Sequence, residues 1–285
     1  MSASVINAQA SDKPDPRAAV LIAQGQASLK AGETQAAVDA FEAALAVARA
    51  ALREPNLPQA RLDGPERELR LLVDHREDLV AERTRLINRL RWHLHELDPA
   101  LEPSTGRLSR RSLDTLTMSL EDREGIVARL ARELVERCIE LGTQIDALQR
   151  EIEADVQTIA PSLLTICGCG PLTAAKIVGE TAGIDRFHSP DAYARHNGTA
   201  PLPISSAQQT RHRLSRTGNR QLNAALYRIA LTQSQWHPDA KAMIARRQTQ
   251  GDTKREALRI LKRRLSDVVY RTLTADTQTQ QQAAA

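Results

Sequence analysis

The run ERELRLLVDHREDLVAERTRLINRLRWHLHEL, residues 66–97, decides the class of fold. Leu72, Leu79 and Leu86 recur every seven residues, and Val73, Val80, Ile87 and Leu94 form a second row beside them. Rows of this period lay apolar side chains along one stripe of a helix and leave charged residues on the other faces. Asp98-Pro99 ends the helix, because a proline disfavours helical backbone in the residue before it. A second long helix is expected over about 123–158. There Leu134, Leu141 and Leu148 make one row, and Cys138, Ile145, Ile152 and Ile159 make the other. Two such helices with a loop between them predict an antiparallel coiled-coil arm over 66–159. Cys138 sits in an apolar row, where a free thiol behaves as a small buried hydrophobe.

Composition agrees with a helical chain. The 285 residues allow two modest domains or one domain with extended helices, and the aromatic fraction of 2% argues against a β-sandwich or barrel. No run of about 18 apolar residues occurs, so no membrane span is expected. The N-terminus, MSASVINAQASDKPDPR, lacks the basic and apolar regions of a secretory signal. Three cysteines make no disulfide framework, and a reducing cytoplasm is the expected compartment.

On the N-terminal side, residues 1–16 are polar, carry two prolines and are expected to be disordered. Residues 17–50 read as a helical hairpin. Leu21, Gly25 and Leu29 line one helix, Gly32 breaks the chain, and Ala37, Phe41 and Ala44 line the next. The spacing resembles a single tetratricopeptide repeat, and a solenoid needs about three repeats to bury a core. Residues 51–65, with Pro55, Pro58, Gly64 and Pro65, form a linker.

On the C-terminal side the charge changes. Residues 160–285 hold 18 Lys+Arg against 8 Asp+Glu, and between Ser205 and Leu265 the balance is 14 to 3. Such a block suits a polyanion, with nucleic acid the foremost partner, although a solvated helix face has the same composition. In PSLLTICGCGPLTAAKIVG, residues 161–179, Gly168 and Gly170 predict a helix-hairpin-helix-like turn. Backbone N–H groups opening the following helix can hold a phosphate, with Lys176 one turn further in. An ordinary tight turn between helices fits the same residues. Cys167 and Cys169 are one residue apart with no second pair, so no metal site is expected.

A stretch rich in turn residues follows Gly179. A helix is then expected over 220–233 with Leu222, Leu226, Ile229 and Ala230 inward. Another is expected over 252–274 with Leu258, Leu261, Leu265 and Val268 inward, and a disordered tail over 276–285. Ser205 and Ser206 precede a basic loop carrying Arg211, Arg213, Arg216 and Arg220. Arginines beside a hydroxyl can hold phosphates, lower its pKa and stabilise a transferring phosphoryl group. A serine near arginines is also commonly structural.

Four stretches are recognisable together. They are ALAVARAALREPNLPQARLDGPERELRLLVDHREDLVAERTRLINRLRWHL from Ala44, ICGCGPLTAAKIVGE from Ile166, NGTAPLPISS from Asn197, and RHRLSRTGNRQLNAALYRIAL with DTKREALRILKRRL. In this order the chain resembles the insertion-sequence transposases related to the Piv DNA invertase, of IS116/IS110/IS902 type. The resemblance implies an all-α chain: a coiled-coil arm, then a basic C-terminal transposase domain over 160–275. It implies DNA strand exchange with Ser206 as nucleophile and Ser205 as the alternative. Gly168, Gly170, Lys176, Arg211, Arg213, Arg216, Arg220 and Arg263 would then hold nucleic acid. Family members use a divalent metal, Mg, in an N-terminal RuvC-like domain. They assemble as oligomers through the arm, act on DNA at the nucleoid, and some use a bridge RNA.

The sequence departs from the family in two places. Ala40 and Ala43 stand where the family shows an Asp-x-x-Asp motif, and the residues before them resemble the tetratricopeptide hairpin instead. Ala207 stands where glycine follows the serine pair. These departures imply a truncated copy with impaired catalysis, or a non-catalytic nucleic-acid-binding remnant. A tetratricopeptide-type protein-interaction module is the third alternative.

Overall fold

The computed structural model describes residues 16–30, 34–53, 60–101, 108–206, 209–213 and 218–284. The chain divides into two compact units, 1–59 and 60–285.

The first unit holds α1 (Pro16–Lys30) and α2 (Thr34–Arg53). They pack where Gly25 meets Phe41: a Cβ on Gly25 would lie 2.8 Å from the Phe41 ring. Ala37 and Ala44 are buried, whereas Leu29 is exposed, so the row of Leu21, Gly25 and Leu29 closes chiefly at the glycine. Gly32 and residues 1–15 lie outside the described residues.

In the second unit α3 (Pro65–Leu97) runs out and α5 (Ile126–Ile159) runs back. Leu69 and Val73 share a core with Ile152 and Val156. Leu79 packs with Leu141 and Ile145, and Leu90 and Leu94 pack with Ala131, Val135 and Cys138. Polar ties cross at several levels: Arg76 donates to Gln149 at 3.0 Å, Arg137 pairs with Glu82 at 3.1 Å, and Arg83 donates to the Cys138 carbonyl at 3.2 Å. Val80, placed in an apolar row by its spacing, is 38% exposed, and Leu90 takes an inward position instead.

The connection between these helices is not a plain loop. It contains α4 (Arg110–Glu121), capped by Ser109, whose hydroxyl accepts from the Ser112 amide at 3.1 Å. Leu113, Leu116 and Leu120 are buried against the far ends of α3 and α5. The apolar rows are therefore largely covered within one chain, which removes the reason for expecting a partner helix over them.

The remaining elements follow α5, and their helices join the near ends of α3 and α5 in the larger core. They are α6 (Pro171–Thr181), α7 (Pro190–His196), a hairpin of β1 (Leu202–Ser206) and β2 (Gln209–Arg213), α8 (Arg220–Trp236), α9 (Pro238–Thr249) and α10 (Lys254–Ala284). The class is all-α, with this one antiparallel hairpin set among ten helices of the described residues. Helix α7 occupies part of the turn-rich stretch, started by Ser189, whose hydroxyl accepts from the Ala192 amide at 3.2 Å, and by Pro190 at the first helical position. The inward row of α8 is as expected: Leu222, Leu226, Ile229 and Ala230 have no exposed surface.

Helix α10 differs from expectation at both faces and at its end. Val269, not Val268, completes the buried row of Leu258, Leu261 and Leu265, because positions four apart share a helix face. Its start is a reciprocal cap, in which the Thr253 amide donates to Glu256 at 2.8 Å and the Glu256 amide to the Thr253 hydroxyl at 3.3 Å. The helix runs on to Ala284 through the stretch expected to be a disordered tail. That stretch has no proline or glycine, and it is fastened. Asp276 accepts from the Ser162 amide at 3.3 Å, and Gln280 donates to the Ile159 carbonyl at 2.7 Å. No helix among the described residues is long and apolar enough to cross a membrane.

Candidate nucleic-acid interface

The serine pair lies on the hairpin. Ser205 is registered opposite Thr210 and Ser206, the last residue of β1, opposite Gln209. Arg211 and Arg213 follow on β2, opposite Ile204 and Leu202. The segment expected to be a basic loop is thus in part a two-stranded ladder. Ala207 and Arg216 lie outside the described residues.

The two ends of the hairpin segment meet at its root. Gly218 has φ +104°, and a Cβ there would stand 2.6 Å from the His196 carbonyl oxygen and 3.0 Å from the Gly198 nitrogen. Only glycine fits both that backbone angle and that approach. Beside it the Asn219 amide donates to the His196 carbonyl at 2.7 Å. Asn219 caps α8 by accepting from Leu222 at 2.9 Å, and its side chain donates to Glu180 of α6 at 2.5 Å. Arg70 of α3 stands 3.7 Å from the same carboxylate.

A second set of bonds holds the other end. Asn197 is fully buried; its amide donates to the Ser266 hydroxyl at 2.7 Å and its carbonyl oxygen accepts from Thr199 at 2.6 Å. Asn223 donates to the Asn197 backbone carbonyl at 2.7 Å, and Lys262 donates to Asn223 at 2.8 Å. Buried polar groups are costly unless satisfied, so this network fixes one arrangement of α7, α8 and α10. Burial, with help from Arg259, lowers the Lys262 pKa below its ordinary 10.5.

The other residues expected to hold nucleic acid are distributed differently. Gly168 has φ +85° and faces the protein: a Cβ there would lie 2.8 Å from Thr232 and 3.3 Å from the Ile229 carbonyl oxygen, both on α8. Gln233 of α8 also donates to the Cys167 carbonyl at 2.9 Å. Gly170 caps α6 with open space before it. Lys176 does not face solvent. It is 4% exposed, bonded to Glu77 at 2.9 Å and Asp74 at 3.0 Å on α3. Burial opposes its charge, but these two carboxylates outweigh it and raise its pKa. Arg263 pairs with Asp191 at 2.5 Å and with Asp267. Arg220 is exposed at the start of α8, on the rim of a surface cleft of about 510 Å³ that Asp74, Glu77 and Glu180 also line.

Cys167 is exposed, whereas Cys169 is buried and its pKa is pushed up to about 12 by desolvation. Among the described residues no three His, Cys, Asp or Glu side chains gather as a metal site. Ala40 and Ala43 offer no oxygen donors, so these residues do not fit the divalent metal that the resemblance implies.

One feature of this region is missed by residue spacing. From Ala192 to Pro238 there is no Asp or Glu, and the six cations are all arginine: Arg195, Arg211, Arg213, Arg216, Arg220 and Arg228. The guanidinium fork matches phosphate geometry better than an ammonium does. A scan for acid-free stretches finds Arg228 and its neighbour Tyr227, which motif spacing does not.

Comparison with known proteins finds similarity to insertion-element proteins. Residues 160–245 match the model of the Transposase IS116/IS110/IS902 family. The chain is similar to the insertion element IS116 uncharacterized 44.8 kDa protein of Streptomyces clavuligerus, 26% identical over 81% of this chain and 70% of that protein. It is 25% identical to the insertion element IS110 uncharacterized 43.6 kDa protein of Streptomyces coelicolor, over 71% of this chain and 62% of that one. It is also 25% identical to the insertion element IS900 uncharacterized 42 kDa protein of Mycobacterium paratuberculosis, over 81% and 70%. The class defined is the insertion-sequence transposase. Over residues 160–245 the chain is similar to the IS116/IS110/IS902 family.

Proposed function

We propose that this chain is the nucleic-acid-holding, serine-bearing part of an insertion-element transposase, and that these 285 residues alone bind DNA without joining strands. The observation that carries the reading is the acid-free, arginine-only segment from Ala192 to Pro238, which includes the serine hairpin. Its root is clamped at Asn197 and Gly218, so the hairpin is presented from a rigid base. Ser206 is the proposed nucleophile and Ser205 the alternative. Arg211, Arg213, Arg216 and Arg220 are the proposed phosphate contacts.

Inactivity of the chain alone follows from Ala40 and Ala43. An unactivated serine hydroxyl is a poor nucleophile, and arginines hold a phosphate without supplying a metal's charge and geometry. The test is a recombination assay with matched donor, target and any cognate bridge RNA. It compares the chain alone, the chain with a RuvC-like domain supplied in trans, and Ser206→Ala in each setting. The reading expects joined product only with the added domain, and none with Ser206→Ala. Strand joining by the chain alone would overturn it.

A further inference from the structure

We propose that the outer face of α8 is a stacking platform for unpaired bases of a single-stranded nucleic acid, with Tyr227 as the stacking residue. The inference deepens the proposed function and rests on it.

Arg220, Ala224, Tyr227 and Leu231 are spaced i, i+4, i+7 and i+11, one stripe of the helix, and Arg228 flanks them. The inward stripe of the same helix is fully buried, so this stripe is the opposite, solvent-facing side. Tyr227 is 46% exposed and Leu231 38%. The chain has only seven aromatic residues, and three of them, Phe187, Tyr193 and Tyr270, are packed on one another between α7 and α10. Tyr227 and Trp236 are both left outside on this acid-free helix, and of the two Tyr227 lies on the stripe that begins at Arg220.

The occupant follows from chemistry. The helix itself carries Arg220 and Arg228 and no carboxylate, which complements a polyanion along its outer face; the carboxylates of Asp74, Glu77 and Glu180 line the cleft on one side of Arg220. Arg220 and Tyr227 are seven residues apart, about 10 Å along the axis. A phosphate at the first and a base on the second are within reach of one short single strand. Proteins that hold single strands combine a basic track with aromatic faces in this way, because every base has a face to stack. In a duplex the bases are already stacked and Tyr227 has nothing to receive. The stripe starts beside the hairpin root at Gly218 and Asn219.

The experiment uses the full chain and fluorescence anisotropy at 50 mM salt. Three labelled probes are titrated: a mixed-sequence 20-mer of single-stranded DNA, the same sequence as RNA, and the DNA duplex. Tyr227→Ala is expected to weaken binding to the single strands by about 10-fold, the size of one lost base–aromatic contact, and to change duplex binding by less than about twofold. Tyr227→Phe keeps the ring and is expected to bind as wild type. Trp236→Ala is the control: Trp236 is 74% exposed but lies nine residues on, about 180° around the helix, and its loss is expected to have no effect. The DNA and RNA arms decide which strand the platform prefers; a loss on either supports it. An unchanged affinity of Tyr227→Ala for both single strands, an equal loss on the duplex, or an equal loss with Trp236→Ala overturns the platform while leaving the proposed function standing. Failure of the wild-type chain to bind any probe overturns both.

Discussion

The Asn197 side chain reaches the Ser266 hydroxyl at 2.7 Å, across 69 residues of sequence. The bond ties the end of α7, five residues before β1, to the middle of α10. Neither residue is exposed, so their partners are fixed by the fold and not by solvent.

Asn197→Ala is expected to cost about 1–3 kcal/mol, because it strands the Thr199 amide and hydroxyl and the Ser266 hydroxyl in a dry site. Ser266→Ala removes one partner and is expected to cost about 1 kcal/mol. Urea denaturation gives both values. Wild-type stability in Asn197→Ala would show that the network does not hold the root.

Lys176 and Arg220 separate burial from binding. Lys176→Gln is expected to lower the melting temperature by about 2–4 °C, as its bonds to Asp74 and Glu77 are lost, and to leave nucleic-acid affinity within about twofold. Arg220→Gln is expected to weaken binding across sequences and to reduce the salt slope by about 1. Melting curves and binding titrations on both variants check this; the reverse pattern would return Lys176 to the interface.

Much of this organisation is legible in the residues, and its limits are physical. A seven-residue apolar period runs along α3 and α5, so these helices and the inward row of α8 can be read directly, even though Val80 strays from its row. Helix α4 has a readable cap and row in Ser109, Leu113, Leu116 and Leu120, but proline and glycine nearby suggest a loop. The hairpin is weaker still, since β2 is only five residues long and its alternate arginines, Arg211 and Arg213, look like a basic loop. Lys176 shows the deeper limit. Its spacing after Gly170 says where it sits on α6, but only the close approach of α3, where a Cβ on Gly179 would meet the Arg70 backbone at 2.9 Å, decides that carboxylates take its charge.

Leu141→Lys buries an unpaired charge between α3 and α5 and is expected to destabilise the chain by about 4 kcal/mol or more. Val80→Lys, at a part-exposed position of the same arm, is expected to stay within about 0.5 kcal/mol. Thermal denaturation compares them. Sedimentation of Leu141→Lys as a folded monomer from a wild-type oligomer would restore the partner-covered arm.

Lys262 gives stability a pH dependence of known sign. Its folded pKa lies below 10.5, so between that folded value and 10.5 the unfolded chain binds more protons than the folded one. Stability therefore gains from this group as pH rises through that window. Lys262→Met removes the gain, and its stability relative to wild type is expected to be greatest at low pH and to shrink as pH approaches 10.5. Denaturation at several pH values between 7 and 10 checks this; a constant difference would place Lys262 in solvent.

The most direct test of the account is the salt dependence of DNA binding by the intact chain. Each phosphate neutralised releases counterions, so log affinity falls linearly with log salt. With about six phosphates held by the arginine segment, affinity is expected to fall by roughly 10³ between 50 and 200 mM salt. Replacing Arg220 and Arg228 together by Gln should flatten that slope by about 2. No binding at 50 mM, or a slope near zero, would contradict the claim that the segment from Ala192 to Pro238 holds nucleic acid.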